Sequence, residues 1–189
     1  MTACLVGAIS SGVMVACGSA RSDADAPATP VVADQTTTSS RPVEDYEATT
    51  EDFVNIHKMT AVRGFFIDNK LGHLDEALDI ARANEGGVYP VGTIIQLVPQ
   101  EAMVKRRPGW NTASKDWEFF FLDVTAEATT IAVRGGDEVV NRFGGNCASC
   151  HADAEPKYDF VCENDHGCEP LPISREIIDS VQKADPRPM

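Results

Sequence analysis

The sequence predicts an α+β domain with an antiparallel sheet, preceded by a leader and a tether. Runs of β-branched and aromatic residues between turn residues indicate strands. One strand is followed by a helix, and several strands then follow one another, without the regular strand–helix alternation of a parallel sheet. Residues 17–51 have few large apolar side chains, which places the folded domain at residues 52–185.

Composition and charge limit the possible partners. Of the 189 residues, 43% are hydrophobic, which is enough for one domain with a core. The 16 basic and 29 acidic side chains give a formal charge of −13. This charge is repelled by phosphate, so nucleic acid is not expected as a partner. A basic redox partner protein fits the charge, and so does plain solubility.

The first 16 residues form a short apolar run rich in small residues, and Cys17 follows directly. This pattern is typical of a bacterial lipoprotein signal, which is cleaved before the cysteine that carries the lipid. No Lys or Arg precedes the run, and Met14 replaces the usual Leu, so a plain secretory signal or a retained helix stays open. The lipoprotein hypothesis predicts a periplasm-facing protein of the bacterial cell envelope, which contacts the membrane only through the anchor on Cys17.

Residues 17–51 are predicted to be a disordered tether. They are a mixture of Ala, Thr, Ser, Pro and Asp. Such a segment cannot bury enough apolar surface to offset the entropy of ordering the chain. It would hold the domain away from the membrane.

The first half of the domain is predicted to contain three strands and a helix. Met59–Asn69 is rich in β-branched and aromatic residues and is predicted to be one strand. Apolar residues at helical spacing predict a helix over Leu71–Ala81, ended near Gly86. Val91–Val98 is predicted to be a strand between two prolines, and Glu101–Lys105 a short strand or a continuation of it.

The second half begins with the most apolar strand of the chain, Asp116–Val124. Its large apolar side chains alternate onto both faces, so the strand is predicted to be buried on both sides. Thr129–Val133 is predicted to be a further strand, and Asp137–Arg142 a short helical approach to the next motif. Ser174–Lys183 is predicted to be a helix, with Ser174 as its N-cap.

Residues 146–151 read N-C-A-S-C-H and carry the main functional signal. Cys147, Cys150 and His151 occupy positions i, i+3 and i+4, which share one face of a helix. Two thiols at this spacing can add to the two vinyl groups of a haem, and the imidazole beside them then faces the iron. The motif predicts one covalent haem c, with His151 as the proximal ligand.

Two other interpretations of this motif stay open. Cys147 and Cys150 are also compatible with half of a zinc site that is completed by Cys162, Cys168 or His166. They are compatible as well with a reactive dithiol of the thioredoxin kind, although no βαβ pattern precedes them.

The remaining cysteines fit an exported haem protein. Cys4 leaves with the leader, and Cys17 takes the lipid. Cys162 and Cys168 are then left over, and an oxidising compartment allows them to form a disulfide.

Residues 89–151 resemble the cytochrome P-460 family, whose sheet-rich fold is shared with the beta class of cytochromes c-prime. The resemblance rests on P-x-G-T at Pro90–Thr93, E-A-x-V-K at Glu101–Lys105, the aromatic strand from Trp117 and C-A-x-C-H at Cys147–His151. It implies a five-stranded antiparallel sheet that packs on one haem. It also implies thioether bonds at Cys147 and Cys150 and iron ligation by His151.

One departure from the family bears on activity. Hydroxylamine-oxidising members cross-link a lysine to the porphyrin, and Leu97 occupies that position here. The resemblance then favours the beta class of cytochromes c-prime, which keep an open iron site behind apolar side chains and bind nitric oxide or carbon monoxide. Phe65, Phe66, Phe119 and Phe121 are candidates for these side chains, and Phe119 and Phe121 are assigned to the haem pocket.

Other functions are also compatible with the sequence. An electron-transfer cytochrome would fill the sixth iron site, for which the candidates are Met59, Met103, His57, His73 and His166. A peroxidase-like enzyme would need an acid–base group, for which the candidates are Glu101, Glu118 and Arg134. Hydroxylamine oxidation and a zinc-binding or purely structural lipoprotein complete the alternatives.

Overall fold

A computed structural model describes residues 43–142 and 144–189. The predicted leader (1–16), the predicted lipidation site at Cys17 and the tether as far as residue 42 lie outside the described residues. Within the described ranges, no helix is both long enough and apolar enough to cross a membrane.

Within the described residues, the domain is an open antiparallel sheet of six strands with three α-helices, which confirms the predicted α+β class. The strands pair in the order of the sequence, each with the one before it. They are β1 (Thr60–Val62), β2 (Phe65–Asn69), β3 (Thr93–Gln96), β4 (Glu101–Lys105), β5 (Trp117–Val124) and β6 (Thr129–Gly135). The helices are α1 (Leu74–Arg82), α2 (Cys147–His151) and α3 (Arg175–Lys183).

The sheet has six strands rather than five because the predicted strand Met59–Asn69 is a hairpin. Val62 pairs with Phe65, so the chain reverses over Arg63 and Gly64. Arg63 adopts a φ of 50°, which is uncommon for a residue other than glycine. Its guanidinium ion-pairs with Glu163 across the molecule, which holds the turn in place.

The first helix begins three residues later than predicted. The side-chain oxygen of Asn69 accepts hydrogen bonds from the backbone N–H groups of Leu71 (2.8 Å) and His73 (3.0 Å). Gly72 lies between them with a φ of 85°. These bonds make residues 69–73 a turn, and the helix starts at Leu74.

The prediction of a helical approach at Asp137–Arg142 is wrong. Val140 forms an isolated antiparallel bridge with Asn146, and the N–H of Cys147 donates to the carbonyl of Val139 at 3.0 Å. This extended pairing satisfies backbone groups that would otherwise require a helix. It brings residues 139–140 directly against the start of α2.

The sheet buries a separate core on each face. The first, called here the motif face, packs against α1 and against Cys147 and Ala148. The second is covered by the segment 43–58, called here the strap. The two faces share no buried residue, so β5 has buried side chains on both sides as predicted.

The end of the chain holds the strap. Asn55 donates to the carbonyl of Arg187 at 2.6 Å, and the guanidinium of Arg187 donates to the carbonyl of Phe53 at 2.9 Å. Asp185 accepts from the N–H of Ile56 at 2.9 Å. We call this set of contacts the clasp.

Candidate functional site

The C-x-x-C-H motif lies on the short helix α2, and Asn146 determines where this helix begins. Its side-chain oxygen accepts from the N–H of Ser149 at 2.9 Å, as an N-cap does. Its side-chain nitrogen donates to the carbonyl of Asp137 at 2.6 Å. One side chain therefore starts the helix and fixes the preceding segment beside it.

The two motif thiols differ in environment. Cys147 is half-buried and packs against the core of the motif face, whereas Cys150 is exposed. Both are free thiols. Burial, helped by the nearby Glu101, raises the pKa of Cys147 to about 11, so this thiol is protonated at neutral pH. A protonated thiol is a poor nucleophile, which argues against the reactive dithiol.

His151 makes the most informative contact of the motif. Its Nδ1 lies 2.6 Å from the carbonyl oxygen of Phe160. A carbonyl can only accept, so Nδ1 carries the hydrogen and the lone pair is left on Nε2. Burial lowers the pKa of His151, opposed by this hydrogen bond, which favours the neutral ring. The ring packs against Phe119 with a centroid distance of 5.1 Å.

The carbonyl that His151 contacts belongs to a row of three, each bonded to a ring nitrogen. The carbonyl of Asp159 accepts from the indole Nε1 of Trp117 at 2.6 Å. The carbonyl of Phe160 accepts from His151. The carbonyl of Val161 lies 2.7 Å from Nδ1 of His166, whose ring stacks on Tyr158.

A buried ion pair underlies this row of carbonyls. Nζ of Lys105 donates to both carboxylate oxygens of Asp159, at 2.7 and 2.9 Å, and to the carbonyl of Lys115 at 2.7 Å. The two paired side chains are only 6% and 4% exposed. Burial lowers the pKa of Lys105 and raises the pKa of Asp159, and each shift is opposed by the charge of the partner. Sequence reasoning missed this pair, because its members are 54 residues apart.

The predicted aromatic pocket residues divide between the two faces. Phe119 and Phe121 lie in the core of the motif face, together with Phe65 and the half-buried Leu97. Phe66 lies in the core of the strap face and is separated from the motif by the sheet. We call the four side chains on the motif face the apolar wall, and of them Phe119 contacts the ring of His151.

The predicted sixth ligands do not lie together. Met103 is buried in the core of the motif face, and Nδ1 of His166 lies 2.7 Å from the carbonyl of Val161. Met59 belongs to the strap-face core. His57 contacts the carbonyl of Gln182 at 3.0 Å, and His73 lies near two exposed glutamates at the start of α1.

The predicted acid–base residues are not together either. Glu101 is half-buried near Cys147 and accepts from the N–H of Arg142 at 3.5 Å, and burial raises its pKa. Glu118 ion-pairs at 2.6 Å with Arg106 and with Arg134. It alternates with Phe119 along β5 and points to the strap side of the sheet, away from His151.

The side chains do not fit the zinc alternative. Cys162 and Cys168 are joined by a disulfide, so neither thiol is available to a metal. Across residues 43–142 and 144–189, no three His, Cys, Asp or Glu side chains are grouped so that they could hold a metal ion.

The side chains do fit a covalently attached haem. Two free thiols stand at the required spacing, and the imidazole that follows them has its Nε2 lone pair free for iron. The apolar wall of the motif face supplies low-polarity side chains of the kind that pack against a porphyrin.

Comparisons with protein-family models, with curated proteins and with solved structures find no match to this chain.

Proposed function

We propose that this protein is an exported mono-haem c-type cytochrome of the P-460 type, which binds small gases such as nitric oxide or carbon monoxide at an open iron site. The contact between Nδ1 of His151 and the carbonyl of Phe160 carries the proposal. A metal-ligating histidine typically donates its other ring N–H to a carbonyl or carboxylate, which fixes the ring and makes it a stronger donor.

Each residue of the motif has a distinct role in this proposal. Cys147 and Cys150 would hold the haem through thioether bonds, and Nε2 of His151 would bind the iron. Asn146 holds the helix that carries all three. When bound, the haem supplies a redox-active iron that can take a diatomic ligand.

The apolar wall supports an open iron site. Phe119 and Phe121 offer neither a ligand atom nor a proton, so beside a haem they would shield the iron from water without binding it. Leu97 cannot form the porphyrin cross-link of the hydroxylamine-oxidising enzymes. These features favour gas binding over hydroxylamine oxidation.

Electron transfer is the second candidate, and one observation favours it. Met103 is buried on the motif face, in the same core as Phe119, and its thioether is a known axial ligand of cytochromes c. With Met103 bound, the protein would exchange electrons with a redox partner protein rather than bind gas.

The experiment that tests the proposal is an absorption spectrum of the full chain, produced with a cytochrome c maturation system. We expect a Soret band that survives acid–acetone extraction of free haem. The ferric protein should be high-spin, and the ferrous band should shift with carbon monoxide. Absence of covalent haem would refute the haem proposal. A low-spin spectrum that carbon monoxide does not change would leave haem attachment intact and favour electron transfer.

Two cysteine double variants provide a matched comparison. Replacing Cys147 and Cys150 with alanine should abolish covalent haem. Replacing Cys162 and Cys168 with serine should retain it, because these sulfurs already pair with each other. If both variants lose haem equally, the loss reflects misfolding rather than the motif. Met103→Leu should leave the spectrum unchanged if the iron site is open.

A further inference from the structure

We propose that Lys105 and Asp159 are positioning residues for His151, because their buried ion pair holds the backbone that aims the Phe160 carbonyl at Nδ1. This inference rests on the proposed haem function, since its consequence is the donor strength of the iron ligand. The ion pair would thereby influence the reduction potential of the haem, although it does not touch the motif.

The backbone around the accepting carbonyl requires support. Asp159 and Phe160 have φ values of 52° and 67°, so two successive residues are in the left-handed region. Asp tolerates this region, but a bulky residue such as Phe adopts it only when its surroundings enforce it. The direction of the Phe160 carbonyl therefore depends on the contacts that hold these two residues.

Those contacts converge on Asp159. Its carboxylate accepts two bonds from Lys105 and one from the N–H of Tyr89 at 2.9 Å. Its own carbonyl accepts from Trp117. Lys105 and Trp117 are direct partners in the pairing of β4 with β5. Strands β4 and β5 thus bind both the side chain and the backbone carbonyl of Asp159. The next residue, Phe160, carries the carbonyl that accepts from His151.

The strength of the His151 hydrogen bond has a chemical consequence. A well-aligned acceptor draws the Nδ1 proton and makes Nε2 more electron-rich. A more electron-rich axial ligand favours ferric over ferrous iron, so it lowers the reduction potential. Loss of alignment at Phe160 should therefore raise the potential and weaken the bond between iron and His151.

The opposite face of the sheet offers a matched control. Arg106 and Glu118 form an ion pair at 2.6 Å, with side chains 8% and 4% exposed. Arg106 follows Lys105 directly on the chain, but in the part of the chain that the structure describes, the side chains of its pair bond to Asp45 and Arg134 and not to residues 159–161. Glu118→Gln removes one buried carboxylate charge, as Asp159→Asn does.

The experiment uses the haem-loaded full chain and two readouts, the reduction potential and the iron–histidine stretching band of the ferrous protein. Lys105→Met and Asp159→Asn remove charges of opposite sign. A through-space charge effect alone would shift the potential in opposite directions. Loss of positioning should raise the potential and lower the band frequency in both variants, while Glu118→Gln leaves the band unchanged.

The outcomes are distinguishable from failure of the proposed function. If the wild-type chain takes no haem, the function fails. If it takes haem and the two variants shift the potential in opposite directions, or leave the band at the wild-type frequency, the positioning role is refuted. Should a single variant fail to accumulate, the charge-free double variant Lys105→Met/Asp159→Asn leaves no unpaired buried charge, and it must show the same shifts.

Discussion

At the scale of single residues, Asn146 connects two elements through one amide group. Its oxygen caps α2, and its nitrogen holds the carbonyl of Asp137. Because Cys147 follows immediately, the start of the helix also sets the position of the first thiol. The cap is thus part of the geometry that presents the motif.

Asn146→Ala should lower the free energy of unfolding by about 1 kcal/mol, because the helix loses its cap. The yield of covalent haem should fall as well, because α2 is then less well formed. Asn146→Asp keeps the acceptor for Ser149 and loses only the bond to Asp137, so its effect should be smaller. Urea titration and haem staining of denatured protein measure the two effects. Equal losses in both variants would show that the cap is unimportant.

The residue scale also shows what the sequence could and could not predict. The C-x-x-C-H motif was recognisable because the thiols and the imidazole are close in sequence. The Phe160 carbonyl left no signal, since every residue has a carbonyl and only the fold selects one. The pair of Lys105 and Asp159 was equally hidden, because neither spacing nor composition links two such distant charges.

At the scale of elements, β5 separates the two cores. Phe119 belongs to the motif-face core and contacts His151, while the next residue, Phe120, is buried against the strap beside Phe53. The two side chains are 3% and 1% exposed. Neighbouring residues of one type therefore differ only in the face they occupy.

Phe119→Leu and Phe120→Leu should each destabilise the domain on the order of 1 kcal/mol, because most of the buried apolar volume is retained. In a protein that carries the proposed haem, only Phe119→Leu should change the carbon monoxide recombination rate and the Soret position. Flash photolysis of the haem–carbon monoxide complex measures the rate. A changed rate in Phe120→Leu, with no change in Phe119→Leu, would place the haem on the strap face and contradict the proposal.

Strands and helices were predicted accurately where the signals that define them are close in sequence. Glu101–Lys105 and the strand from Trp117 to Val124 were predicted almost to the residue, because their apolar residues lie between clear turn signals. The hairpin at Arg63 and Gly64 was missed because the strand-forming residues on both sides of the single glycine predict one continuous strand, although a glycine inside a strand pattern can indicate a turn. An ion pair between Arg63 and Glu163 stabilises that turn. The two residues are 100 positions apart, so no local sequence pattern indicates the pair.

At the scale of the whole molecule, charge fixes the start of the strap to the sheet. Asp45 accepts two hydrogen bonds from the guanidinium of Arg106, at 3.1 and 2.9 Å, and one from the N–H of Arg107 at 2.9 Å. The Arg106 guanidinium lowers the pKa of Asp45 from 3.8 to about 2. A carboxyl with a depressed pKa binds its proton less tightly in the folded state than in the unfolded state.

The contribution of Asp45 to stability should therefore be complete above about pH 4 and disappear as the pH falls through about 2. Asp45→Asn should lower the free energy of unfolding at pH 7 by about 1 kcal/mol, a value reduced for solvent screening. The difference in the free energy of unfolding between Asp45→Asn and the wild type should vanish near pH 2. Denaturation curves from pH 7 to pH 2 test this. Glu47→Gln, which removes an exposed carboxylate 3.7 Å from Arg134, is the control for loss of a surface charge.

The sequential strand order and the clasp have different consequences for the time course of folding. Each strand pairs with the one before it, so every strand pairing is more local in sequence than the clasp and should form earlier. The bond from Asn55 to Arg187 spans 132 residues and should close late, because long loops are slow to close. During folding there would then be an interval in which the apolar wall has formed and the hydrogen bonds of the clasp have not. Haem attachment in that interval would take place on the formed apolar wall, before the clasp forms.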